Sequence, residues 1–399
     1  MLLNNKIKQP FRHCQICAGN MVEVLHHQKF ILPSGSPLPS EYEIVCCTLC
    51  GFVYADTTVL QTTYDQYYHE LSKYEDKNTA SGTGNDSFDK ERLAATARDI
   101  SKLLPDKCAS VLDVGCGNGG LLLALKKEGY QKIKGLDPSV VCVNNIRNNG
   151  IDAVVGGIFD YIQNELFDFI ILTHVFEHIS DLKLALKNLS TMLCPAGKLY
   201  IEVPNASQYT KFYRAPYYYF DTEHINHFSV TSLANLLVEN NFELVSYGEK
   251  EFLCAEDKPY PAVYVVGKKV NITKRGLSKD QTVRNSVMDY LKMSQDDNKS
   301  MYLNQIKTLK NNHEEVAIWG IGNYAMRLLA TSDLGKCNIK LFVDKDSKKQ
   351  GQKLNGIIIE TPTTLRNFKG TIVICSVMFS TEIVKEIKGM GLSNNLICM

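Results

Sequence analysis

The sequence predicts an α/β protein of several domains built around a parallel, doubly wound sheet. Three observations carry that expectation. From about residue 90 to 267, apolar strand-like runs alternate with helical patterns, as a parallel sheet with crossover helices requires. The first of these runs opens into a glycine-rich turn, VLDVGCGNGG (111–120). The alternation then resumes from Val316 in EVAIWGIG, KLFVDK and TIVICS. A chain of 399 residues has room for two or three domains.

The first segment, residues 1–75, is turn-rich and carries CQIC (14–17) and CTLC (47–50). Two-residue spacing lets a tight turn direct both thiolates of a pair at one ion. Cys14, Cys17, Cys47 and Cys50 would then complete a closed, structural Zn²⁺ site. Gly51 supplies the backbone freedom of the second turn. Cys46 adjoins Cys47, and the two-residue spacing favours Cys47. The competing reading is a redox pair, which would normally open a helix in a βαβ setting that this segment lacks.

The second segment, residues 76–268, holds the strand candidates SVLDVG (110–115), KIKGLD (132–137), FDFIILT (167–173), KLYIEV (198–203), FELVSY (242–247) and AVYVVG (262–267). Residues 269–312 are polar with sparse apolar positions and read as a helical connector. Residues 313–399 form a second, smaller Rossmann-like unit. Its turn, WGIGNYAMRLL (319–329), fits G-x-G-x-x-A, and Asp344 stands near the usual ribose-binding position. Gly320, Gly322 and Asp344 are candidate contacts to a nucleotide of the substrate. The alternatives are close helix–strand packing and an independent NAD(P) site.

Charge and cysteine usage narrow the partners. Basic and acidic residues number 44 and 43, so broad attraction to nucleic acid or an anionic membrane is not expected. No apolar run reaches the ~18 residues of a membrane span, and the start has no apolar core of signal-peptide length. An odd thiol count, 13, fits a reducing cytoplasm with metal-bound or buried cysteines. A cytoplasmic monomer or small homo-oligomer is expected.

In the glycine-rich turn, Gly115, Gly117 and Gly119 let a ligand approach the backbone. Asp113 stands where the pyrophosphate of a dinucleotide would lie, and suits a cationic amine instead. Asp137, ending the next strand, suits two ribose hydroxyls. Another nucleotide-binding α/β unit is the competing reading.

This segment resembles the class I S-adenosylmethionine-dependent methyltransferases, whose D-x-G-x-G-x-G loop and second-strand acid it carries. The likeness continues through FDFIILTHVFEHISD (167–181) and LCPAGKLYIEVPN (193–205). It implies that Gly115–Gly119 lie along the amino-acid part of the cofactor and that Asp137 binds the ribose. Gly157, Ile158 and Phe159 would flank the adenine. Thr173 and His174 would face the sulfonium. The three-part chain is similar to the sugar C-methyltransferase family, which acts on nucleotide-linked 4-keto deoxysugars. That resemblance implies a substrate contact for the C-terminal unit.

Methyl transfer to carbon beside a ketone, or to oxygen, calls for a positioned base, and histidine titrates in the right range. Two clusters qualify: His174 and His178 in THVFEHIS, and Glu223 and His224 in EHINHFS (223–229). By the resemblance, His224 is the general base, Glu223 its electrostatic partner and His178 a second proton handler. A helix-start role competes for His178. His227 reads instead as the lead-in to a helix capped by Ser229.

Lys211, Arg214 and Tyr219 lie just upstream, suited to a diphosphate or a sugar face, with an aromatic lid as the plain alternative. Tyr68 and Tyr74 are further candidates for closing over cofactor or substrate. The C-methylating members tend to carry tyrosine two residues before the Glu-His pair, where this chain has Asp221. O- or N-methylation of a sugar or other small metabolite is therefore the alternative. A non-catalytic cofactor-binding module is a third.

Overall fold

A computed structural model of the chain describes residues 6–71, 86–161, 165–271, 276–297 and 301–399. The chain divides into two compact units. One comprises residues 1–25, 45–212 and 223–287; the other comprises 26–44, 213–222 and 288–399.

The N-terminal segment is built from short strands: β1 (Ile7–Lys8), β2 (Val22–Lys29), β3 (Glu41–Cys47) and β4 (Val53–Asp56). Helix α1 (Gln61–Leu71) follows, then α2 (Ser87–Leu103), whose N-cap Asp86 accepts from the amides of Phe88 and Asp89. The central sheet begins with β5 (Val111–Val114). It continues through α3 (Gly120–Lys127), β6 (Ile133–Asp137), α4 (Val140–Asn148), β7 (Asp152–Val155) and β8 (Phe167–Thr173). Then come α5 (Leu182–Met192), β9 (Leu193–Pro204), the two-residue β10 (Asn226–His227), α6 (Val230–Glu239), β11 (Phe242–Ala255) and β12 (Lys258–Lys269).

The seven strands lie in the order β7-β6-β5-β8-β9-β12-β11. Pairs among β5 to β9 are parallel, while β12 runs antiparallel to both its neighbours. This is the class I methyltransferase order that the resemblance implies. The chain winds outward from β5 to β7, then returns to β8 on the other side. A crevice at such a switch point, beyond the strand C-termini, is where these sheets bind ligands.

The continuous apolar runs are explained by burial on both faces. Val111, Phe169, Ile171 and Tyr200 pack on one side with Leu93, Ala97 and Ile100 of α2 and Leu122 and Leu125 of α3. Leu112, Val114, Ile170, Leu172 and Ile201 pack on the other with Leu186 and Leu189 of α5 and Leu236 and Leu237 of α6. Strand β7 is absent from the strand candidates: DAVV is short and sits at the sheet edge, so little burial marks it.

Residues around 270–312 contain α7 (Thr282–Asp297) and α8 (Met301–Asn311). The last unit then alternates β13 (Glu315–Trp319), α9 (Asn323–Thr331), β14 (Asn338–Val343), β15 (Lys353–Leu354), β16 (Ile357–Glu360), β17 (Thr371–Ile374), α10 (Ser380–Gly389) and β18 (Leu396–Cys398). Its sheet has the order β15-β16-β14-β13-β17-β18 and is parallel except for the β15–β16 hairpin. Among the described residues, no helix is long and apolar enough to cross a membrane.

Candidate functional site

The glycine turn leaves β5 in left-handed backbone. Gly115 has φ +69°, and a Cβ there would lie 2.5 Å from Val175 Cγ2. At Gly117, φ is +51° and a Cβ would meet nothing within 4 Å. The turn is therefore packed at its start and open at its middle. The Gly117 amide donates to Asp137 Oδ2 at 2.7 Å, and the Ser139 amide to Oδ1 at 2.9 Å. Asp137 thus latches the turn at the end of β6.

Asp113 is buried, and its Oδ1 has no hydrogen-bond partner. Burial, helped by the charge of Asp137, pushes its carboxyl up to about 8. An orphaned buried carboxyl beside an open glycine turn fits an ammonium-bearing ligand. Of the residues expected to flank an adenine, Ile158 is buried, and Phe159 packs partly against the same core. The Gly157 amide donates to Asp160 Oδ1 at 2.5 Å.

Thr173 ends β8, and His174 follows in left-handed backbone at φ +56°, unusual for a bulky residue. That turn places its ring edge-on to Phe252 and Tyr260. His174 Nδ1 lies 3.3 Å from Glu177 Oε1, and Nε2 lies 3.9 Å from Glu202 Oε1. Glu202 in turn accepts from Tyr200 at 2.5 Å and from Lys250 at 2.9 Å. Burial alone would raise the Glu177 carboxyl. The His174 hydrogen bond, and the charges that His178, His174 and His224 carry when protonated, outweigh it and hold the group at about 2.

His178 sits three residues beyond Val175, whose carbonyl accepts from the His178 amide at 3.0 Å. The packing of Gly115 on Val175 thereby ties the histidine to the glycine turn. His178 Nδ1 lies 3.1 Å from the Glu223 carbonyl oxygen and 2.9 Å from the Tyr68 hydroxyl. Tyr68 donates to Glu223 Oε2 at 3.2 Å, and Tyr67 to Oε1 at 3.3 Å. We assign the Nδ1 proton to the bond with the carbonyl, which leaves Nε2 as the basic nitrogen. The half-buried His224 ring is 4.8 Å from that of His178, centroid to centroid. One ligand atom each from Glu177, His178 and His224 lie within 4.8 Å of one another.

The structure therefore brings His178, Glu223, His224 and Tyr68 together. Tyr74 lies outside the described residues. Glu177 and Tyr67 belong to the same group and were not singled out from sequence. Glu177 lies between the two histidines of THVFEHIS. Tyr64, Tyr67 and Tyr68 share one face of α1 at helical spacing, which was the available signal. His227 is buried, lies 3.0 Å from the Tyr209 hydroxyl and precedes Ser229, the capping-box N-cap of α6.

The cysteine segment positions this group from behind. Cys14 and Cys50 Sγ are 3.5 Å apart, as are Cys17 and Cys47 Sγ. Four Zn–S bonds of ~2.3 Å in a tetrahedron give S···S edges of roughly 3.8 Å, so the four sulfurs fit such an ion. Cys46 Sγ is directed instead at the carbonyls of Cys47 and Gly51. Beside the cysteines, β4 pairs with β10, setting Val53 opposite His227. Arg12 completes the link. Its Nη2 donates to the Ser180 carbonyl at 2.6 Å and the Ile179 carbonyl at 3.2 Å, and its Nη1 to the Ile225 carbonyl at 3.4 Å. One guanidinium thus holds the backbone next to both His178 and His224.

The remaining candidates are dispersed. Lys211 forms an exposed pair with Glu251. In the second unit, Arg214 Nη1 lies 3.2 Å from Met378 Sδ. Tyr219 is buried edge-on to Tyr290 and Tyr218. Gly320 turns at φ +93°, and Gly322 caps α9 with open space where a Cβ would point. Asp344 Oδ2 accepts from the Ile321 amide at 2.7 Å and from Lys349 at 3.2 Å. Both α/β units therefore use the acid ending the second strand to latch the first turn.

Residues 88–247 match the family described as a methyltransferase domain, and residues 312–398 match one described as C2185-like, N-terminal. A probable (S)-tetrahydroprotoberberine N-methyltransferase 2 of Papaver bracteatum is 28% identical over 115 residues, 27% of this chain and 32% of that protein. A ubiquinone biosynthesis O-methyltransferase of Bartonella bacilliformis is 31% identical over 130 residues, 30% of this chain and 51% of that protein. The chain thus spans a third to a half of the length of these relatives. Among solved structures, coclaurine N-methyltransferase bound to N-methylheliamine and SAH is similar at a TM-score of 0.41. Identity is 14%, over 53% of this chain and 83% of that one. The fold assignment rests on strand order, not on that superposition.

Proposed function

We propose that this chain, which carries a class I S-adenosylmethionine-dependent methyltransferase domain over residues 88–247, methylates a nucleotide-linked sugar in the cytoplasm. The observation that carries the proposal is the meeting of His178, His224, Glu177, Glu223 and Tyr68 beside the residue that packs on Gly115. S-adenosylmethionine supplies an electrophilic methyl group on a sulfonium. Asp113 would hold the cofactor's ammonium, Gly117 would leave room for its approach to the backbone, and Asp137 would take the ribose hydroxyls. A bound Zn²⁺ at Cys14, Cys17, Cys47 and Cys50 is structural, because four thiolates leave no open position.

His224 takes the acceptor's proton. Glu177, held ionised, stabilises the imidazolium that results. Tyr67 and Tyr68 hold the Glu223 carboxylate, and the Glu223 carbonyl fixes the His178 tautomer. Acid–base assistance of this kind is worth about 10²–10⁴ in rate. The measurement is transfer from labelled cofactor to a panel of nucleotide sugars. His224→Ala and His178→Ala should each lower kcat by about a hundredfold or more, with S-adenosylhomocysteine affinity unchanged. Wild-type turnover in both variants would sink the assignment.

A second reading keeps the enzyme and moves the methyl to oxygen or nitrogen. It is favoured by Asp221, which stands where C-methylating sugar enzymes tend to carry tyrosine, and by relatives named as N- and O-methyltransferases. Product NMR separates the readings by the shift and coupling of the new methyl group.

A further inference from the structure

Within the second unit, Arg327 on α9 is 3% exposed. Its guanidinium lies over two tyrosine rings, 5.0 Å from the centroid of Tyr217 and 5.2 Å from that of Tyr324. Tyr217 also stacks on His26, at 4.6 Å and 10°. Nη1 reaches the Thr331 hydroxyl at 3.5 Å, while Nε and Nη2 are buried without a hydrogen-bond partner. Among the described residues, no carboxylate lies within ion-pair distance of it. Asp297, which acts on Tyr324, is engaged by the Tyr213 hydroxyl at 2.8 Å.

A buried cation without an anion is costly, and ring faces do not repair it. Cation–π attraction offsets part of the charge, but a ring offers no acceptor for an N–H aimed past it. Histidine 26 adds no negative charge. The phenol of Tyr324 gives the guanidinium a neutral oxygen and no charge, since burial pushes it up to about 12 against the pull of Arg327. The site also holds Tyr217 in left-handed backbone, at φ +56°, with its amide donating to Ser294 Oγ at 3.1 Å. Such placements of bulky residues persist where the surroundings enforce them, often at ligand sites.

We propose that Arg327 is the anchor of an oxyanion site in the second unit, and that it takes the phosphate group of a phosphorylated small molecule. Its two unpartnered nitrogens, Nε and Nη2, present a fork of N–H donors that suits two oxygens of one phosphate. The aromatic faces of Tyr217 and Tyr324 set the plane of the guanidinium and exclude water from it. The site needs neither the glycine turn nor Asp344. For the identity of the molecule, a nucleoside diphosphate, the proposal rests on the sugar-nucleotide reading above.

The test is titration calorimetry of the full chain with UDP, dTDP and inorganic pyrophosphate, alongside thermal unfolding, for the native protein, Arg327→Lys and Arg327→Met. The native protein should bind a nucleoside diphosphate, and pyrophosphate should compete with it. Arg327→Met should weaken binding by about tenfold or more, and Arg327→Lys by less, since lysine keeps the charge but loses the fork. S-adenosylhomocysteine binding should be the same in all three. Without ligand, Arg327→Met should unfold at the same temperature or higher, because it removes an uncompensated buried charge. A purely structural cation–π role predicts the reverse.

Native protein that binds none of the phosphates, or Arg327→Met that binds them as tightly, overturns the site. Binding of the nucleoside without competition by pyrophosphate also overturns it. Arg327-dependent phosphate binding with no transfer to any nucleotide sugar would sink the substrate reading and leave the site.

Discussion

Asp113 is a carboxyl that the fold holds protonated and a cationic ligand would ionise. Its acidity in the fold, about 8, exceeds the unfolded value because burial and Asp137 both disfavour the anion. Between pH 4 and 8 the folded state therefore holds more protons than the unfolded one at this group. That contribution to stability is present at low pH and lost as pH rises through about 8. Two outcomes follow at the scale of one residue. Binding of S-adenosylhomocysteine at pH 7 should release on the order of one proton, read from calorimetry in buffers of different ionisation enthalpy. Asp113→Asn without ligand should lack the native protein's decline in stability between pH 6.5 and 8, while losing cofactor affinity. A buffer-independent binding enthalpy would contradict this account. Local chemistry made Asp113, Gly115 and Asp137 legible, since each answers to its neighbours along the chain. Glu177 and Tyr67 were not, because their significance comes from Glu223 and His224, far away in sequence.

At the scale of elements, the cysteine segment matters through the strand it presents. Gly51 turns at φ +82° directly over Asp280, whose carbonyl a Cβ would strike at 1.9 Å. Asp280 also accepts from the Ser229 hydroxyl, so the second cysteine turn is tied to the N-cap of α6. With β4 paired to β10 and Arg12 bridging to Ile179, Ser180 and Ile225, the cysteine turns brace both histidines. Metal analysis should find one Zn²⁺ per chain, reduced in Cys47→Ser. Chelation should lower the unfolding temperature by about 5 °C or more, as loss of a structural ion does, and turnover by about tenfold. A stable metal-free protein with full turnover would refute the bracing role. The paired CxxC spacing announced the four-thiol cluster, but nothing in it announced the two-residue β10, which is too short to carry a periodic signal.

For the whole molecule, each unit holds a neutral histidine out of water, His227 fully buried and His26 partly so. Burial holds His227 at about 3 in the first unit, with help from His224, and His26 at about 4 in the second. Unfolded, both would accept a proton near 6.5. At these two groups the unfolded state therefore binds more protons below that pH, which lowers stability as pH falls from about 6.5 and outweighs the opposite effect of the single Asp113. The loss is at most ~1.4 kcal/mol per pH unit for each group. Chemical denaturation between pH 7 and 4.5 should show it, and His227→Asn or His26→Asn should each flatten the curve if the variant folds. A slope unaffected by both substitutions would place acid sensitivity elsewhere.

The division of information follows from the range of the interactions involved. Sequence alone determined the alternating α/β architecture, the glycine turn with its two acids and the four-thiolate spacing. Each rests on contacts within one turn, one strand or one βα unit. Tertiary structure alone decided which histidines meet, that Tyr68 and Glu223 share a proton network, and that Arg12 joins Ile179 to Ile225. It also decided that Arg327 is buried without an anion, and that residues 26–44 and 213–222 belong with the C-terminal unit. Burial and charge pairing are properties of surroundings, and the surroundings of a side chain are assembled from segments that the sequence keeps hundreds of residues apart.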